Sequence, residues 1–470
     1  MITESFALLR FEWIMALLIF ILFILNLNDV DKKPALFVSI VNVLLGLNFL
    51  VGFLPLAQGN LFQDFFRTSN LIVLEKNIIN LGLLLISLAS GQWIANCKKT
   101  AEFYILLFSS ALGMFVMLSS GHILMLFVGL ELSSLPLAAL SAFNTKDQKS
   151  SEAGIKYILS SAFSTGINLF GISLLYGAMG DLSFTYIAAH IQPNMLTILA
   201  FVLFISGLAF KMSIVPFHLW AADVYEGSPT PVTNYLAVVS KASVVFIFTT
   251  ILYTVFGGMK EVWLYAIGIL AILSMTVGNL FALRQDNIKR FLAFSSISQM
   301  GFVLVGISGA SQMGVDSVVY FIIVYLFSNV AMFSIAEAIS GETGKDKISD
   351  IKGLYKSNPL LAIIFSIALF SLAGVPPTAG FFGKLFLLTS GLGAGAYVLL
   401  AVAAINLVLS LYNYLRIVKA MFIDEATEVL PRISMQRGRD VVLLVCVLGI
   451  IFLAFAGDLF NYIHGLTFGI

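Results

Sequence analysis

Apolar residues run through this chain in blocks of about 20, parted by short polar breaks, rather than in the alternation of half-exposed helices or strands. About 20 residues at 1.5 Å each is the length an α-helix needs to cross a hydrocarbon core. Fourteen such blocks predict fourteen spans, at 7–28, 34–56, 73–95, 101–119, 121–143, 153–179, 194–215, 230–256, 261–283, 288–309, 313–340, 358–394, 395–422 and 440–462. The twelfth is too long for one straight helix and contains Gly374, Pro376, Pro377 and Gly380, so it predicts a broken span. Where the seventh passes into the eighth, between Lys211 and Lys241, stand Pro216, Gly227, Pro229 and Pro231. Backbone groups freed by such breaks are tolerated at membrane depth only against protein or a water-filled cavity.

The broken spans lie five apart, and an odd offset reverses orientation. They therefore predict an inverted repeat pairing spans four to eight with nine to thirteen, the arrangement that places transport sites at discontinuous helices. The fold class is an all-α polytopic membrane protein. It divides into an N-terminal three-helix segment (1–100), a first five-helix repeat (101–256), a second, inverted repeat (257–423), and a cytoplasmic loop with a last span (424–470). DLSFTYIAAHIQ, 181–192, predicts a short surface helix, and the polar stretch 424–439 a cytoplasmic loop or short helix.

Composition agrees with a bilayer as the solvent. The chain is 59% hydrophobic and 11% charged, against about 25% charged in soluble domains. A net charge of +1 excludes a broad basic surface for nucleic acid. Cys97 and Cys446 lie far apart, the four histidines are scattered, and no HExxH or CxxC spacing occurs, so no metal or redox centre is expected in the chain. The first apolar block follows Arg10 without a small-residue cleavage site and reads as a retained span. Lysine and arginine concentrate in the odd-numbered loops, while the even-numbered loops and termini hold Arg10, Arg67 and Lys260. By the positive-inside rule the odd loops are cytoplasmic and both termini lie on the outer side.

Charges inside the spans are the candidate chemistry, because a lysine at mid-span costs about 2.5 to 3.5 kcal/mol. Lys211 precedes the first break, Lys384 follows the second, and Lys241 sits about 16 Å into the eighth span, too deep to snorkel. Glu131 lies near the middle of the fifth span. A cation from a neighbouring helix, Lys211 first, is the expected partner, and the hydroxyls of Ser133 and Ser134 are the alternative. Lys156, a few residues into the sixth span, either snorkels to the cytoplasmic surface or joins the row; Lys76 reads as a local pair with Glu75. His218, after Pro216, is either a packed histidine or part of the path, and Gln299 can bridge waters but carries no proton itself. GLGAG at 391–395 looks like a phosphate loop only superficially, since it joins two spans.

Taken in order, GLELSSL, FHLWAADVYEGSPTPVTNYLAVVSK, LRQDNIKRFLAFSSISQMG and AGVPPTAGFFGKL resemble the subunit N family of proton-pumping NADH:quinone oxidoreductases, respiratory complex I, over about 120–420. DVYEGSPTPV is the most specific part, because the sister subunits M and L differ there. The resemblance implies an ion pair of Glu131 with Lys211, a central Lys241, a further Lys384 on the broken twelfth helix, and Lys156 as a lysine of some members. Gln299 departs from the pattern, standing where many antiporter-like subunits have histidine, so a proton step there uses water or another route. The family's activity is proton translocation driven by quinone reduction. Flavin, iron–sulfur clusters and quinone are then expected in partner subunits and none in this chain, with M-type and K-type membrane subunits as neighbours and the bacterial inner membrane as the site. The residues leave open a Mrp-type Na+/H+ antiporter, a hydrogenase membrane subunit, or a passive spacer, although a spacer has no reason to bear five basic residues within its spans.

Overall fold

The computed structural model describes residues 7–27, 33–54, 58–97, 99–393, 395–425, 430–434 and 436–466. The apolar blocks fold as helices α1 (Arg10–Leu27), α2 (Pro34–Val51), α3 (Asn70–Ala89), α4 (Thr100–Leu118), α5 (Ile123–Ser141), α6 (Gln148–Met179), α7a (Met195–Met212) and α7b (Leu219–Gly227). Then come α8 (Thr230–Val255), α9 (Gly257–Ala282), α10 (Ile288–Ile307), α11 (Gln312–Thr343), α12a (Pro359–Ala373), α12b (Ala379–Gly393), α13 (Tyr397–Phe422) and α14 (Arg437–Phe455). Thirteen of these are long and apolar enough to cross a membrane, and the twelfth block supplies the pair of shorter apolar helices α12a and α12b.

Local chemistry sets the ends. Ser69, Asp147, Asn194 and Asn287 cap α3, α6, α7a and α10 by accepting from backbone N–H groups of the first turn. The Asp147 cap lies in a polar segment, so α6 starts five residues before its apolar block and runs for 32 residues. Both broken helices stop at a left-handed residue, Ser213 at φ 58° and Gly374 at φ 83°. In α8 the turn Leu236–Ser240, directly before Lys241, is a π-helix. Such turns are frequent at functional sites.

α8, α10 and α11 form the centre of the bundle: the apolar window of α8 is wholly buried and those of α10 and α11 are 94% buried, against 28% for α1 and α2. Similar pieces recur along the chain. α6 and α11 each have 32 residues and each stands before a broken helix. α4 crosses α5 at Gly113, where a Cβ would meet the Ser133 backbone at 2.3 Å; α9 crosses α10 at Gly278, where one would meet the Ser298 backbone at 2.6 Å.

One feature departs from expectation. Between α2 and α3 the chain forms a hairpin of β1 (Gly59–Leu61) and β2 (Phe66–Thr68). Strands of three residues carry no readable period, so the hairpin was hidden in the sequence. The surface helix is confined to Phe184–His190. Within 424–439 the segment 430–434 is non-helical and pinned by Asn358, which donates to Pro431 O and accepts from Ile433 N; 426–429 and 435 lie outside the described residues. GLGAG closes α12b and turns toward α13, with 394 outside the described residues.

Candidate functional site

Three lysines sit beside irregular backbone: Lys211 in the last turn of α7a, Lys241 after the π turn of α8, and Lys384 in the second turn of α12b. Their exposures are 5%, 0% and 2%, so none reaches solvent or lipid along its own stem.

Lys211 Nζ donates to Tyr157 Oη at 3.0 Å and to Ser161 Oγ at 3.1 Å, and lies 4.9 Å from the Tyr157 ring centroid. Thr165 Oγ1 donates to Glu131 at 2.7 Å. The expected Glu131–Lys211 ion pair is therefore not made. The hydroxyls of Tyr157, Ser161 and Thr165 follow one face of α6 at four-residue intervals, and the acid and the base bind opposite ends of that row. Nor do the serines beside Glu131 hold it: Ser133 and Ser134 both donate to Leu130 O.

Lys156 is one residue from Tyr157 but on another face of α6. Its ammonium pairs with Glu152 at 2.7 Å and Asp223 at 2.6 Å. Arg290 of α10 joins Asp223 at 2.6 Å and Glu226 at 3.0 Å, and Lys149 joins Glu226 at 3.1 Å. These six side chains line a cavity of about 100 Å³ at the end of α6. Lys156 thus belongs to a charged mouth, half-exposed, and not to the buried row. Asp223 and Glu226 went unnoticed in the sequence, although acids three apart on a short helix share a face.

Lys241 Nζ donates to Ser296 Oγ at 2.5 Å and lies 5.3 Å from the Tyr225 ring. Tyr325 donates to the same Ser296 oxygen at 3.0 Å. On α10, Gln299 Nε2 donates to Leu372 O at 3.1 Å and Tyr414 Oη at 2.9 Å. The next carbonyl, Ala373 O, accepts from Lys384 Nζ at 3.4 Å, and Phe302 faces that ammonium at 4.6 Å. The break in α12 frees these last carbonyls, and they form the negative end of the α12a dipole. One helix, α10, thus carries polar groups from the Lys241 site to the Lys384 site.

His218 stands at the start of α7b, half-buried, with its Nδ1 unpartnered among the described residues. It shares no hydrogen bond with the three lysines. Lys76 corrects another expectation: it pairs with Glu12 of α1 and donates to Ser119 Oγ at 2.6 Å, within reach of the Phe11, Phe66 and Phe115 rings. Adjacent residues leave a helix in different directions, so Glu75 was the wrong partner. Two further pairs escaped the sequence reading, Glu337 with Arg439 at 2.9 Å and Asp316 with His464 at 2.6 Å. Among the described residues no three His, Cys, Asp or Glu side chains converge as metal ligands.

Chemically, the row consists of amines held by neutral oxygens. Each amine can exist charged or neutral, and hydroxyl and amide groups adjoin each.

Residues 120–410 match a family model described as NADH:quinone oxidoreductase/Mrp antiporter, TM. NADH-quinone oxidoreductase subunit N of Azobacteroides pseudotrichonymphae is 43% identical over 417 residues, covering 88% of this chain and 87% of the relative. The protein of that name from Phocaeicola vulgatus is 42% identical, covering 89% of each. Among solved structures, a chain of respiratory complex I from Thermus thermophilus with bound Aureothin aligns with TM-score 0.78 at 28% identity, over 95% of this chain and 97% of that one. A chain of the Mrp complex from Dietzia sp. aligns at TM-score 0.87 and 21% identity, over 99% and 97%, and shares the fold.

Proposed function

This chain belongs to the NADH:quinone oxidoreductase/Mrp antiporter family, and we propose that it is the subunit N-type, proton-translocating membrane-arm subunit of an NADH:quinone oxidoreductase. The observation that carries the reading is Lys241, wholly enclosed in the most buried helix and hydrogen-bonded to the uncharged Ser296 hydroxyl. An amine so placed is costly as a permanent charge and suited to alternating between protonation states.

In this reading protons enter from the cytoplasm past the charged mouth of Lys156, Asp223, Glu226 and Arg290. They reach Lys241, pass along the Ser296, Tyr325, Tyr414 and Gln299 side of α10 with waters filling the gaps, and leave through Lys384. Gaining or losing a proton on the Glu131–Thr165 side of α6 changes the field felt at Lys211 and, beyond it, at Lys241. Flavin, iron–sulfur clusters and quinone belong to partner subunits, whose chemistry drives the cycle. M-type and K-type subunits are the proposed neighbours, the bacterial plasma membrane the proposed site, and both termini are proposed to face outward. The higher identity to the subunit N relatives, against 21% for the Mrp chain, favours the oxidoreductase over an antiporter.

The test is NADH-driven proton uptake into vesicles carrying the whole complex, with quinone reduction recorded alongside. Lys241→Ala should abolish coupled uptake and slow electron transfer; unchanged rates in a normally assembled complex would refute the relay.

A further inference from the structure

The proposed path needs an outlet beyond Lys384, and the outer end of α11 carries a buried acid that the lysine row does not use. Asp316 is 0% exposed. Gln312 Nε2 donates to its Oδ1 at 2.9 Å, and His464 Nδ1 lies 2.6 Å from its Oδ2. The His464 side chain is 62% exposed, so one pair joins an enclosed carboxylate to the surface. Its helix, Gly457–His464, is packed down by Phe460 against Phe386 of α12b and Tyr320 of α11, at 4.4 and 6.1 Å between ring centroids.

α11 and α12b run antiparallel in contact. A Cβ on Gly383 would lie 3.1 Å from the Phe321 ring, and one on Gly314 would lie 3.2 Å from Ser390 Oγ. Lys384 therefore sits at the level of Phe321, and Asp316 is five residues further out along α11, about 7.5 Å of rise. Ser390 lies beyond Lys384 on α12b and donates to Gly306 O at 3.0 Å, adding a hydroxyl on the outward side.

We propose that Asp316 and His464 form the outer release relay of this subunit, which rests on the reading of Lys384 as the last lysine of the path. The ammonium of Lys384 gives up a proton through intervening water, and Asp316 takes it as its carboxylate becomes a carboxylic acid. Asp316 passes that proton to the unprotonated Nδ1 of His464, the resulting imidazolium releases its Nε2 proton from the exposed edge to water, and exchange of the Nδ1 proton for one on Nε2 through water restores the starting tautomer. No electron moves, and each group returns to its starting state.

The experiment uses the whole complex in vesicles whose lumen faces the outer end of α11, comparing Asp316→Asn, His464→Asn, His464→Ala and Lys241→Ala. Asparagine retains a hydrogen-bond donor near the Nδ1 position and carries no proton. Proton delivery in Asp316→Asn and His464→Asn is expected to fall about tenfold or more, with normal assembly on native gels. Imidazole enclosed in the lumen restores His464→Ala, which a purely structural contact would not allow. Wild-type delivery by His464→Asn, or a loss in His464→Ala that imidazole leaves unchanged, overturns the release relay. If Lys241→Ala alone stops delivery, the relay through Asp316 is wrong and the lysine path stands; if Lys241→Ala has no effect, the path itself fails.

Discussion

Lys241 of α8 donates to Ser296 of α10, with 2.5 Å between Nζ and Oγ. The same oxygen accepts from Tyr325 at 3.0 Å, so one hydroxyl ties α8, α10 and α11 at the centre of the bundle. Ser296→Ala removes the acceptor and leaves the amine among apolar walls, which disfavours its charged form. Coupled proton uptake should slow several-fold while the complex assembles normally, and Ser296→Thr should recover most of the rate. Equal rates in Ser296→Ala and wild type would show that water replaces the hydroxyl without penalty.

Lys241→Arg separates charge from proton transfer. Arginine keeps the positive charge and does not release its proton under working conditions. The variant should assemble and still fail in proton uptake and in coupled quinone reduction, as Lys241→Ala does. Normal pumping by the arginine variant would mean that a fixed charge suffices at this position.

The lysine row could be read from the sequence because a charge stands out in an apolar block. Tyr157, Ser161 and Thr165 could not, because hydroxyls cost a helix little and occur throughout such spans. That face of α6 is why Glu131 and Lys211 do not touch: spacing along the chain says nothing about which helix lies between two residues. Glu337 carried a usable signal, an acid within the eleventh block, but its partner Arg439 falls in the loop by the expected span, which starts at 440, whereas α14 begins at Arg437 and takes Arg439 into the helix. The fourteen spans and both breaks were legible, since membrane thickness sets span length and proline or glycine marks the interruptions.

The close approach of α4 to α5 gives a prediction about stability. At Gly113 a Cβ would come 2.3 Å from the Ser133 backbone, whereas at Gly166, also mid-helix, nothing lies within 4 Å. Gly113→Val must force α4 from α5 and should cost about 1 to 3 kcal/mol or more. Gly166→Ala should be neutral or slightly stabilising, since alanine is the better helix former. Thermal unfolding of the purified, detergent-solubilised protein reads both; equal midpoints would mean that the helix pair gives way freely.

The Glu337–Arg439 pair ties α11 to α3 and α14. Ser90, at the end of α3, donates to Glu337 Oε2 at 2.5 Å, and Arg439 of α14 donates to Oε1 at 2.9 Å, with both charged side chains buried. Glu337→Gln leaves a guanidinium enclosed without its counter-charge, which should cost about 3 to 5 kcal/mol. The exposed pair of Lys99 with Glu102, 3.4 Å apart, should be worth under about 1 kcal/mol, so Lys99→Ala serves as the contrast. Replacing both buried partners, Glu337→Leu with Arg439→Leu, removes the orphaned charge and should recover much of the loss. Unfolding midpoints of the three variants decide the matter: if Glu337→Gln is no worse than Lys99→Ala, solvent reaches the pair and it does not clamp α3, α11 and α14 together.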